Sequence, residues 1–127
     1  MSRRFRSWVT LLGATSALVF TGCEGGPSTG STCPQGSTLT AENFGNAFMS
    51  QYCTRCHNSS LSGAARQRAP AGVNLETLEG VRHSAGEIDR WAAAGPDHEN
   101  TQMPPNGAAP STEERKRLGE WLACGTP

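Results

Sequence analysis

Thr40-Ala41-Glu42-Asn43-Phe44-Gly45-Asn46-Ala47-Phe48-Met49-Ser50-Gln51-Tyr52-Cys53-Thr54-Arg55-Cys56-His57 is the stretch on which the fold turns. Its apolar positions are Ala41, Phe44, Gly45, Phe48, Met49 and Tyr52, the i, i+3, i+4, i+7, i+8, i+11 series of an amphipathic helix. Thr40 stands where a cap is wanted, its hydroxyl able to take one of the orphan N–H groups of the first turn. Gly45 in mid-helix costs about 1 kcal/mol relative to alanine, so its presence predicts a second helix crossing closely there. Two thiols and an imidazole, Cys53, Cys56 and His57, close the stretch.

Outward from this helix, a short helical turn is expected after Asn74 with Leu75 and Leu78 inward. A further helix is expected from Ser84, with Glu87 as capping-box partner and Ile88, Trp91 and Ala92 on one face, ended by Gly95-Pro96. The last helix starts at Ser111 with Glu114 as its box partner. Glu113 and Glu114 precede Arg115, Lys116 and Arg117, the order that suits the helix dipole, and Leu118, Trp121 and Leu122 form its apolar stripe. No stretch alternates like a strand. The reading is a small all-α domain of about four short helices with long loops at 58–73 and 96–110. Loops of that length in a compact domain suggest that they wrap something.

Cys53-Thr54-Arg55-Cys56-His57 is the attachment pattern of c-type haem. Thiols at i and i+3 share a helix face and can each reach one vinyl group along one porphyrin edge, which brings His57 under the iron. A redox dithiol would need a βαβ context, and zinc would need a fourth ligand and normally a second close pair. A disulfide between Cys53 and Cys56 would leave His57 without a role. For the sixth position on iron, Gln102-Met103-Pro104-Pro105 offers a thioether in a loop stiffened by two prolines. A neutral, soft ligand opposite histidine favours ferrous iron. Met49 belongs to the helix stripe. His83 and His98 read as solvated, with His98 the alternative sixth ligand.

The 127 residues carry 11 basic and 11 acidic side chains, but Arg3, Arg4 and Arg6 lie in a targeting segment. Without it the chain is net acidic by three, which argues against nucleic acid as a partner. The basic start, the apolar run Trp8 to Phe20 and Thr21-Gly22-Cys23 resemble a bacterial lipoprotein signal, with Cys23 the lipidated residue; an ordinary secretory signal is the alternative. The apolar run of about 13 residues is too short for a permanent span. Boundaries follow: 1–22 signal peptide, 23–37 a Gly/Ser/Thr/Pro-rich tether unable to bury apolar surface, and 38–127 the folded domain. Only Phe44, Phe48, Tyr52, Trp91 and Trp121 supply aromatic core to that domain, so a staple or a cofactor is expected.

From about Thr38 to Cys124 the chain resembles a monohaem class I cytochrome c domain, on the strength of the Cys53–His57 motif, the Met103-Pro104-Pro105 loop and the two terminal helices. The resemblance implies one covalently bound haem c held by Cys53 and Cys56, with His57 and Met103 axial. It implies a first and last helix crossing at a glycine and an aromatic residue, eight and four residues before the first haem cysteine. Here those are Gly45 and Met49, so Phe48 or Phe44 is expected to take over the aromatic packing. It implies a carbonyl in a proline-containing loop accepting from the histidine, for which Ala69-Pro70 is suitably placed. With Cys23 assigned to lipid and Cys53 and Cys56 to haem, Cys33 and Cys124 remain. Because the terminal helices of such cytochromes pack together, those two can come within disulfide reach in an oxidising compartment; two free thiols are the alternative.

The function expected is an exported, monomeric electron carrier, not an enzyme, anchored by its lipid on the periplasmic side of the inner or outer membrane and exchanging electrons with redox partner proteins. A haem protein that binds or senses a small ligand by displacing Met103 is a second reading. A haem-free structural lipoprotein is a third.

Overall fold

The computed structural model describes residues 25–127; the signal peptide and Cys23 lie outside the described residues. The first helix opens as a π-helical segment, Ala41–Gly45, and continues as α1, Asn46–Tyr52. Thr40 O accepts from both Phe44 N and Gly45 N, and the second of these, an i−5 bond, is what widens the first turn. Thr40 caps it reciprocally: its hydroxyl accepts from Asn43 N (3.2 Å), while Asn43 Oδ1 accepts from Thr40 N (2.8 Å). All six positions of the apolar series are buried.

Three more helices follow: α2, Leu78–His83; α3, Ala85–Ala92; and α4, Thr112–Ala123. Thr77 caps α2. Ser111 and Glu114 cap α4 in a complete box. Among the described residues there is no strand, only an isolated antiparallel bridge between Ala94 and Glu99. The domain is all-α, and no described helix is long and apolar enough to cross a membrane. Gly45 meets α4 face to face: a Cβ there would run into Cζ2 and Cη2 of Trp121. Trp121 is fully buried, with its ring edge-on to Phe44 at 6.1 Å between centroids. Phe44 thus supplies the aromatic contact to the last helix, and Phe48 stacks outward from it onto Tyr52.

Three expectations need correction. The helical turn after Asn74 starts later, at Leu78. Ser84 makes no side-chain cap to α3. Its N–H bonds back to Gly80 O and Val81 O of α2, and its backbone (φ −100°, ψ 8°) is not the extended conformation that aims a capping hydroxyl at the next turn. Glu87, the supposed box partner, instead accepts from Trp91 Nε1 (3.3 Å), and Trp91 is only half-buried.

The largest departure concerns the 23–37 tether, which over residues 25–37 is docked on the domain. Thr29 is fully buried: its N–H and hydroxyl both donate to the Asp89 carboxylate of α3 (2.9 and 2.6 Å). Asn100 Nδ2 donates to Pro27 O, Asp97 N to Thr29 O, and Ser37 Oγ to Glu120 of α4. Cys33, within the same segment, is joined to Cys124 with a Cα–Cα separation of 4.7 Å. A segment poor in apolar side chains is held here by polar bonds to residues from 60 to 83 positions away, with the staple in its midst.

Candidate functional site

The site starts where α1 ends. Cys53 N and Thr54 N both donate to Met49 O, and Cys56 N and His57 N both donate to Cys53 O at 3.1 and 3.0 Å. The motif therefore curls as one further turn and keeps both thiols near the end of the helix. Cys53 and Cys56 are free and half-buried, so the disulfide alternative is not formed. Burial pushes the Cys53 thiol up to about 12, against the opposing charges of Arg55 and Arg115. A dithiol built for exchange needs the opposite, a lowered thiol pKa. No cluster of three or more His, Cys, Asp or Glu side chains able to hold a metal ion occurs among the described residues.

His57 is held from two sides. Its Nδ1 lies 3.3 Å from Val73 O, and its own carbonyl accepts from Leu75 N at 2.9 Å. With Nδ1–H donating, Nε2 is left as the free lone pair, the arrangement of a ligating imidazole. Burial, opposed by the Val73 hydrogen bond, holds the ring below the ordinary histidine value and so in its neutral form. The accepting carbonyl is Val73 rather than one at Ala69-Pro70. Arg66, 6% exposed, donates to Ala69 O and Pro70 O, and also to Asn58 O, Val73 O and Asn74 Oδ1. That one guanidinium turns the 58–73 loop, which contains a 3₁₀ turn at Gly63–Arg66, into a solid wall beside His57.

Met103 is half-buried and packs against the core cluster, as does Cys53. Its N–H donates to Trp91 O at the end of α3, and its carbonyl accepts from Arg115 of α4, both at 2.9 Å. Further along this loop Asn106 O accepts from Arg55 of the motif, and Asn106 Nδ2 donates to Gln67 Oε1 of the 58–73 loop. The Cys53–His57 turn, the 58–73 loop and the Met103 loop are thus tied together in one region. His83 and His98 stay outside it, exposed; the His98 carbonyl only closes a turn with Gly95 N. Arg55 Nε is buried there without a partner.

Arg66 and Arg115 were not legible as site residues. Arg66 sits in a loop without periodicity. Arg115 left a trace, since with Leu118 and Leu122 it falls at i, i+3 and i+7 on the apolar stripe, where a charge needs a reason. Set against known protein families, curated proteins and solved structures, the chain gives no match, so function is argued from the residues alone.

Proposed function

We propose that this chain is a c-type cytochrome: a small cytochrome c-type fold around one haem, attached through thioethers to Cys53 and Cys56, with His57 and Met103 as axial ligands. The observation that carries the reading is the Cys53-Thr54-Arg55-Cys56-His57 turn, with two free thiols and an imidazole whose Nδ1 is already engaged. The donor set fits haem: two free thiols able to add to vinyl groups, a neutral nitrogen and a neutral thioether, with Cys53 and Met103 packed against the one apolar cluster. The unpartnered Arg55 Nε beside them offers a charge to an anionic group such as a haem carboxylate.

Bound in this way, haem supplies a one-electron ferric/ferrous couple. The chain's own residues do the rest. Val73 fixes the imidazole's orientation and tautomer, Arg66 stiffens the wall behind it, and the apolar cluster of Phe48, Leu75 and Leu118 excludes water, which favours the less charged iron state. With His57 and Met103 both holding the iron, no position on it would be left for substrate, so electron transfer to partner proteins is the function we assign. The leader and Cys23 support export and a lipid anchor facing the periplasm, where haem attachment and the Cys33–Cys124 disulfide are both at home.

The test is covalent retention. Protein made in a host with haem-attachment machinery is expected to keep its colour through acid-acetone extraction and denaturing electrophoresis. Haem that comes away, or protein that never acquires it, overturns the reading.

A further inference from the structure

We infer that Arg115 is the positioning residue for Met103, the side chain that decides whether the thioether stays on the iron. The inference rests on the His57/Met103 ligation proposed above. Arg115 is 3% exposed, and its Nη1 lies within hydrogen-bond distance of three carbonyls: Ala92 O (2.7 Å), Asn100 O (2.9 Å) and Met103 O (2.9 Å). Ala92 O is the last carbonyl of α3, and the other two belong to the connection that leaves it and carries Met103. The grip is reciprocated, since Ala94 N donates to Arg115 O at 3.0 Å. Asn100, fully buried, donates in turn to Asp89 O and Pro27 O. The backbone from 92 to 103 is therefore folded around a single guanidinium.

Burying a cation among neutral carbonyls carries a desolvation penalty that an apolar residue of similar volume at this stripe position would avoid. What the cation provides is placement. Three carbonyls converging on the one Nη1 set the path of the connection, and the Met103 main chain is pinned at both ends, its N–H to Trp91 O and its C=O to Arg115. The side chain then has only its own torsions to search. A thioether is a weak, soft ligand, so its competition with an external ligand depends on how little it has to be gathered in.

The experiment uses ferric holoprotein and imidazole as the competing ligand. Wild type is expected to show the long-wavelength charge-transfer band of methionine-ligated haem, and Met103→Ala to lack it; if those two spectra agree, the ligand assignment itself has failed. With that control satisfied, Arg115→Gln is expected to keep its covalent haem, lose or weaken the band and bind imidazole at least about tenfold more tightly, as loss of a charged hydrogen bond implies. Arg115→Lys, which keeps the charge but ends short of the Nη1 position, is expected to fall between the two and serves as the test if the glutamine variant does not fold. Gly45→Ala, which destabilises the fold at the helix crossing, is expected to keep the band. An Arg115 variant with the wild-type band and imidazole affinity overturns the inference, as does a Gly45→Ala protein that loses the band to the same extent.

Discussion

Replacing Gly45 by alanine sets two effects of opposite sign against each other. In an isolated helix the change is stabilising by about 1 kcal/mol, since alanine restricts the unfolded chain and suits the helix. In this protein the new methyl group meets three ring atoms of Trp121, of which even the third-nearest, Cε2, lies 2.7 Å away. That ring is fully buried, with Phe44 edge-on at 6.1 Å, so it cannot swing aside and the two helices have to separate. Overpacking of this kind costs about 1–3 kcal/mol, and the rigidity of the neighbour points to the upper end. The net expectation is destabilisation by about 2 kcal/mol, or a fall in Tm of roughly 8–16 °C for a domain of this size. Thermal and urea unfolding followed by far-ultraviolet circular dichroism read it directly. Trp121→Phe in the Gly45→Ala background is expected to recover part of the loss, because the two sites are in contact and couple. A Gly45→Ala protein as stable as wild type would refute the close crossing.

Two further outcomes follow from the caps and the staple. Denatured, unreduced holoprotein is expected to show no thiol reactive at Cys33 or Cys124, and the paired Cys33→Ser/Cys124→Ser variant to lose up to about 4–5 kcal/mol in urea unfolding, the chain-entropy figure for a loop of 91 residues. The Ser111 main-chain N–H, then its hydroxyl and the Tyr52 O–H hold the Glu114 carboxyl below the usual range. A depressed carboxyl stabilises fully above its unfolded-state value and loses that contribution as pH falls through its lower folded value. Glu114→Gln is therefore expected to be less stable than wild type at neutral pH, with the gap closing as urea midpoints are followed down to about pH 3. A gap independent of pH would detach the box from the acid limb.

The terminal helices could be read from the chain because their information is local. Thr40 sits one residue before an apolar period, Ser111 stands three residues before its box partner Glu114, and Gly45 and Trp121 fit each other as a vacancy and a ring. The Cys53–His57 motif was likewise contiguous. What the chain hid was polar and long-range. Thr29 looks like linker because its worth lies in Asp89, sixty residues on. Arg66 and Arg115 look like solvated charges because the carbonyls that satisfy them are gathered only when the loops fold. Ser84 misled for a related reason: a serine followed three residues later by glutamate describes a box only if the preceding backbone is free to extend, and here α2 has already claimed it.

The Cys33–Cys124 link gives the domain the topology of a ring. Every peptide bond between residues 33 and 124 lies on a closed covalent path, so a single cut in it opens the ring without dividing the molecule. The exposed 105–109 stretch is the natural place for such a cut. A protein nicked there would keep α1 and α4 on one connected molecule, with the chain's end still held where Pro127 O accepts from Ala41 N and Thr126 is clasped by Arg82. It would run as one species until reductant was added and as two afterwards. For a domain exported as proposed above, cleavage of a loop by a protease is then damage that can be survived, since both pieces stay at each other's side to refold.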